Sequence, residues 1–332
     1  MNSFSRLISS FFNDYLIRQK GYSPNTLKSY RDSFVSLIGY MDTVKHKKPD
    51  SITIKDLDYE TINSFLDWLE KEKNVTVSTR NNRLAAIKSF FKYVGFHEPQ
   101  YLDISSSVRE IGKKKTISEP VNYLTIPAIK HFFNSFNFND RKELRDLCII
   151  LLLYESGARV SELCSIRRNE LRTEKPYNLI LHGKGNKDRL VPVDSAVIQL
   201  IEKYISEYDV QNNCFLFFNS RKEKLTREGV NHILKKHFQQ AKNNNPSLYP
   251  DNISAHCLRH SKAMHLLENG VNLIYIRDLL GHTSVTTTEI YSKANPEIKR
   301  KYLEAAANGL NIDIDYSQQE KNELLSWLKN NI

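Results

Sequence analysis

Leu280-Gly281-His282-Thr283-Ser284-Val285-Thr286-Thr287-Thr288-Glu289-Ile290-Tyr291 reads as a helix stop followed by a helix start. A glycine directly after an apolar run is the usual left-handed cap of a helix C-terminus. Thr283 or Ser284 can cap the helix that follows, expected over 285–294. His282 then sits at the break and Tyr291 on the short second helix. Upstream lies Ser254-Ala255-His256-Cys257-Leu258-Arg259-His260-Ser261, where His256 and Arg259 are three apart and share one face of a helical turn. Taken singly, neither stretch says much. A tyrosine on a helix is usually core or surface, and three histidines at 256, 260 and 265 invite a metal reading. That reading fails on spacing, because no H-E-x-x-H and no suitably placed carboxylate accompanies them.

Two further segments concentrate reactive side chains. In Ser156-Gly157-Ala158-Arg159-Val160-Ser161-Glu162-Leu163 an arginine follows a helix-ending glycine, from which its planar fork can face a phosphate. The same arrangement also suits a surface salt bridge. In His182-Gly183-Lys184-Gly185-Asn186-Lys187-Asp188-Arg189 a lysine stands between two glycines, where backbone can approach a ligand closely. The turn joins two strand-like runs, 178–182 and 189–193, so it is a hairpin and not a phosphate loop between strand and helix. It reads equally as a soluble hairpin tip.

Together the segments offer cationic side chains of three kinds, one candidate nucleophile and no acidic metal cluster. That set suits phosphate chemistry. A phenol with a pKa near ~10 is a poor nucleophile, so it needs a base and an electrostatic clamp for the charge that builds on phosphorus.

In H-C-L-R-H at 256–260 and L-G-H-T-S-V-T-T-T-E-I-Y at 280–291 the chain resembles the tyrosine recombinases, the lambda-type integrases that include the Xer proteins. The family pattern of Arg, Lys, H-x-x-R, a second His and Tyr is complete and in order. By that resemblance Arg159, Lys184, His256, Arg259, His282 and Tyr291 are the catalytic residues, and Glu162 supports the first arginine. The resemblance implies that Tyr291 attacks a DNA phosphate and leaves a 3′-phosphotyrosine. Arg159 and Arg259 would stabilise the transition state, Lys184 protonate the leaving 5′-oxygen, His256 accept the tyrosine proton and His282 hydrogen-bond the phosphate. It implies no metal and no nucleotide cofactor. Its partners would be double-stranded DNA and further copies of the chain in a tetramer that passes through a Holliday junction, with a second recombinase or accessory factor left open.

The rest of the chain agrees with a protein of two domains, as 332 residues allow. Its first hundred residues carry helical apolar stripes: Phe4 to Leu16 closed by Gly21, then Leu27 to Met41 behind a Ser23-Pro24 start. A third stripe runs from Ile62 to Leu69. The fourth, Leu84 to Val94, would be capped by Ser78 or Thr79. Gly21 to Arg31, G-Y-S-P-N-T-L-K-S-Y-R, also resembles the start of the family's helical, SAM-like DNA-binding domain. The expected fold is therefore mainly α with a small β-sheet or hairpin. It is a two-domain DNA clamp of a helical core-binding domain and a mixed α/β catalytic domain. The expected boundaries are 1–104 for the first domain, 105–120 for a polar, basic linker and 121–332 for the second, with a tail helix near 317–332. The linker reads equally as a solvated loop.

Composition excludes other classes. The longest apolar run, Cys148 to Tyr154, is far too short to span a membrane, and the amino terminus has no signal-peptide pattern. A cytoplasmic location is expected. Lys and Arg number 48 against 38 acidic residues, a net charge of +10 that favours a polyanionic partner. The four cysteines form no C-x-x-C pair, so reduced and mostly buried thiols are expected.

Three rivals remain. Type IB topoisomerases share the residue set but need no partner site and no tail exchange. A DNA-binding protein that no longer cuts has no use for Tyr291, and a metal-dependent nuclease needs an acidic cluster. Within the family the Lys- and Asn-rich composition and the departure from Xer wording at 290–301 favour a mobile-element integrase over a host enzyme that resolves chromosome or plasmid dimers. If the tail docks on a neighbouring protomer, deleting 317–332 will lower recombination of paired sites more than binding to a single site. Gel-shift and recombination assays run side by side will test this, and equal losses would count against docking in trans.

Overall fold

The computed structural model describes residues 3–116, 121–183, 187–282, 288 and 291. Lys184, most of the expected helix over 285–294 and the tail helix lie outside the described residues. The chain divides into two compact units, Met1–Glu119 and Pro120–Ile332.

The first unit is helical. Helix α1 (Ser3–Ser10) continues as a π-helical stretch, Phe11–Gln19. Then follow α2 (Pro24–Thr43), α3 (Tyr59–Lys71), α4 (Val77–His97) and α5 (Leu102–Glu110). Ser23 caps α2 by accepting from Thr26 N, with Pro24 in the first turn where its missing N–H costs nothing. Helix α4 starts earlier than its apolar stripe suggests: Thr76, not Ser78 or Thr79, is the cap. The stripes meet in an aromatic core in which Phe90 packs against both Phe11 and Phe34 at 5.3 Å between ring centres.

The expected linker begins too early. Residues 105–110 belong to α5, because Val108 and Ile111 are buried behind the polar Ser105-Ser106-Ser107 run. Ser105 turns inward and donates to Phe91 O. The following residues are tied back to α4, where Arg80 Nη1 donates to Gly112 O at 3.1 Å and Asn81 Nδ2 to Lys114 O at 2.8 Å. Two apolar side chains among polar neighbours make too faint a stripe to register as a helix in the sequence.

The second unit is built around α7 (Arg141–Ser156), preceded by α6 (Ile126–Asn134) and followed by the one-turn α8 (Val160–Leu163). Asp140 caps α7 by accepting from Lys142 N and Glu143 N. A three-stranded antiparallel sheet in the order β1-β2-β3 comes next, from β1 (Leu171–Arg172), β2 (Asn178–His182) and β3 (Asp188–Pro192). The register pairs Leu179 with Val191 and Leu181 with Arg189. Helices α9 (Ser195–Tyr208), α10 (Arg227–Asn244), α11 (Ala255–Glu268) and α12 (Leu273–Leu280) complete the unit. Helix α11 starts at Ala255, one turn before the expected Arg259, because Ser254 caps it by accepting from Cys257 N. His256, Arg259 and His260 therefore all lie on one helix.

Between Leu147 and Leu153 helix α7 is apolar all round, and the helix packs against α9, α10 and α11, as a central helix must. Its one buried carboxylate, Asp146, is paired with His237 of α10 at 3.0 Å and with Arg145 at 2.6 Å. Cys148, Cys164 and Cys257 are buried and Cys214 is exposed, all four as free thiols. No helix among the described residues is long and apolar enough to cross a membrane. Leu153 is fully buried on α7, so Leu153→Ala should destabilise the protein by about 2–5 kcal/mol. Urea unfolding followed by circular dichroism will measure it.

Candidate active site

Two helices end side by side through left-handed glycines. Gly157 (φ 56°) terminates α7 and Gly281 (φ 64°) terminates α12. A side chain at either position would strain the backbone. A Cβ on Gly281 would also stand 2.9 Å from Arg189 Nη1. The carbonyls left open at the two helix ends meet three arginines.

Arg259, buried on α11, donates through Nη1 to Gly157 O and through Nη2 to Leu280 O, both at 2.6 Å. Arg159, the N-cap of α8, donates from Nη2 to Gly281 O at 3.2 Å. Arg189 of β3 donates from Nε to Leu279 O at 2.8 Å. Three successive carbonyls, 279 to 281, are thus each held by a guanidinium from a different element.

Glu162 organises two of them. Its carboxylate accepts from Arg159 N at 2.9 Å and Arg159 Nη1 at 2.8 Å. It also accepts from Arg189 Nη2 at 2.7 Å and Nη1 at 3.2 Å. Burial alone would raise this carboxyl, but the hydrogen bonds from Arg189 and Arg159 outweigh it and hold it below its ordinary value.

Beyond Gly281, His282 Nδ1 is 3.0 Å from Thr288 Oγ1. Tyr291 is fully buried against Ala263, Met264, Ile276 and Leu280. Its ring stacks nearly parallel to that of His282, 6.5 Å between centres. Its hydroxyl is 2.9 Å from His260 Nδ1. The imidazole bonded to the phenol is therefore that of His260, not that of His256, to which the resemblance assigns the proton. His256 lies one turn earlier on α11 and is exposed.

The site is electropositive. Burial and the nearby Arg159 bring the Arg259 guanidinium down to about 10, which leaves it charged at neutral pH. Burial, then Arg259 and Arg159, push His282 down to about 4. Burial, then His256 and Arg259, do the same to His260. His256 is lowered by desolvation and by the same two arginines. Burial raises the Tyr291 phenol, and Arg259 pulls it back. Three guanidinium charges face one carboxylate, and the imidazoles decline further protons. Such a surplus is offset by an anion of phosphodiester charge. Among the described residues no group of three or more His, Cys, Asp or Glu is placed to hold a metal ion.

The structure thus brings together Arg159, Glu162, His256, Arg259, His282 and Tyr291 from three separated segments. Lys184 lies outside the described residues, while Gly183 and Lys187 on either side of it are described. Gly183 N donates to Lys187 O at 2.9 Å, and a Cβ on Gly183 would lie 3.8 Å from Glu162 Oε1. Arg189 belongs to none of the motif positions, and in the sequence His260 stands out only as a metal-ligand candidate. Alternation carried a signal for the first: Arg189 falls on the same face of β3 as the buried Val191, where a charge must find a partner.

Residues 124–297 match the phage integrase family and residues 10–95 its N-terminal SAM-like domain. The chain belongs to the phage integrase family, the tyrosine recombinases. An integrase/recombinase of Sinorhizobium fredii, y4rC, is 34% identical over 91% of each chain. The tyrosine recombinase XerD of Listeria innocua is 30% identical over 86% of this chain and 93% of its own. The Tn1549 transposon integrase, solved with transposon right end DNA, has the same fold at a TM-score of 0.69. It shares 18% identity over 90% of this chain and 99% of its own.

Replacing Arg189 by Met removes two of the hydrogen bonds on buried Glu162 and the one on Leu279 O. A cost of about 1–3 kcal/mol in stability is expected, with a DNA cleavage rate that falls further than the affinity for DNA. Thermal melting and single-turnover cleavage will check both.

Proposed function

We propose that the protein is a site-specific recombinase that cuts and rejoins double-stranded DNA through Tyr291, in the service of a mobile element. The single observation that carries this reading is the gathering of Arg159 and Arg259 on adjacent carbonyls at the end of α12, with His282 and the stacked ring of Tyr291 directly after them. A scissile phosphate seated there has its non-bridging oxygens clamped by the two arginines, with a further hydrogen bond from His282. A fixed donor of this kind is worth about 3 kcal/mol to a transition state. Tyr291 Oη attacks phosphorus, the bond to the 5′-oxygen breaks, and Lys184 protonates the leaving oxygen. The phenol loses its proton to a neighbouring imidazole. The 3′-phosphotyrosine conserves the energy of the broken bond, so religation needs no nucleotide.

Four protomers would exchange strands through a Holliday junction, with the helical domain and the catalytic domain clamping the duplex. The Lys- and Asn-rich composition and the sequence at 290–301 support the mobile-element role. The similarity to Listeria innocua XerD supports a second reading, a host enzyme that resolves chromosome or plasmid dimers.

Incubation with suicide substrates from the protein's own locus, in EDTA, should give a covalent adduct on a denaturing gel. The adduct should disappear in Tyr291→Phe. An adduct that persists in that variant would show that another residue is the nucleophile.

A further inference from the structure

We propose that His260 is the catalytic base that takes the proton of Tyr291, the position that H-x-x-R resemblance gives to His256. The proposal rests on Tyr291 being the nucleophile. His260 Nδ1 lies 2.9 Å from the Tyr291 hydroxyl, within direct transfer distance. The two rings meet at 61°, with 5.6 Å between centres. Both side chains are held: Tyr291 is fully buried, and His260 is partly buried in the second turn of α11. Arg259, the neighbour of His260 in sequence, clamps the ends of α7 and α12 and so fixes this turn of the helix.

The groups that face His260 explain how it works as a base. Arg259 and His256 come from its own helix, and Tyr291 and His282 from the segment after α12. Without DNA, burial, His256 and Arg259 keep the imidazole from taking a second proton, and in the tautomer that carries its proton on Nε2 the Nδ1 accepts from the phenol. A phosphodiester seated at Arg159 and Arg259 offsets those cations and strengthens the base when it is needed. The field of Arg259 reaches the phenol as well, so the bond to His260 lies next to the clamp.

The step balances. The Tyr291 Oη–H proton passes to His260 Nδ1 as the Oη–phosphorus bond forms. The bond from phosphorus to the 5′-oxygen breaks, and that oxygen takes a proton from Lys184. Religation reverses each transfer, and His260 returns its proton to Tyr291.

The test is single-turnover cleavage at saturating protein with two substrates, one ordinary and one with sulfur at the bridging 5′ position. Sulfur leaves without a proton, so that substrate isolates activation of the nucleophile. His260→Asn keeps an acceptor near the position of Nδ1 and removes its basicity. We expect this variant to lose about 100-fold or more in rate on both substrates, with DNA affinity unchanged. His256→Asn should lose less than His260→Asn on the sulfur substrate. His260→Gln is the second variant if His260→Asn lowers the melting temperature. Near wild-type rates in the His260 variants would overturn the assignment. So would a loss restored by sulfur, which would place His260 on the leaving group, or a larger sulfur-resistant loss in His256→Asn. A wild-type protein that makes no Tyr291-dependent adduct fails at an earlier step. That outcome removes the functional reading as well, and is told apart by preceding any comparison of variants.

Discussion

The last carbonyls of a helix have no partner within it and carry the negative end of its dipole. At the end of α12 these groups meet Arg189, Arg259 and Arg159 in turn, on residues 279, 280 and 281. The catalytic unit depends on this contact. It fixes the C-terminus of α12, and with it the point from which His282 and Tyr291 set out. It also lets three guanidinium groups stand close together, since each is partly compensated by a carbonyl dipole and two of them share Glu162. The remaining positive charge is what a DNA phosphate can use.

Burial sets the protonation states around that charge. Glu162 stays ionised although it is buried, because Arg189 and Arg159 bond its charged form. Imidazoles enclosed among arginines stay neutral and able to accept, and a phenol enclosed beside them stays protonated. An acid and its acceptor thus rest in contact without transfer until an anion changes the balance. The same low dielectric that makes the resting pair stable makes it responsive to a single added charge.

The first unit shows where periodicity succeeds and where it fails. Long stripes such as Leu27 to Met41 and Leu84 to Val94 correspond to α2 and α4, since each helix must bury one face and its apolar residues recur accordingly. Helix α5 shows no such pattern. Its place depends on Ser105 donating to Phe91 O, on buried Val108 and Ile111, and on Arg80 and Asn81 holding the chain beyond it. These are contacts between residues far apart in sequence, and composition alone made the same stretch read as a linker.

The sequence by itself determined the helical stripes, the two helix-ending glycines, the hairpin and the family pattern of Arg159, Lys184, His256, Arg259, His282 and Tyr291. Each is a local matter of spacing, backbone freedom or motif, and each can be read without knowing what lies opposite. Only the tertiary structure decided which side chains meet. It placed Arg189 on Glu162 and Leu279 O, drew Arg259 between the ends of α7 and α12, and set the Tyr291 hydroxyl against His260. The physical reason is the same in each case. A buried donor or acceptor must be satisfied by whatever group packing brings within about 3 Å, and packing joins segments that the chain itself keeps more than a hundred residues apart.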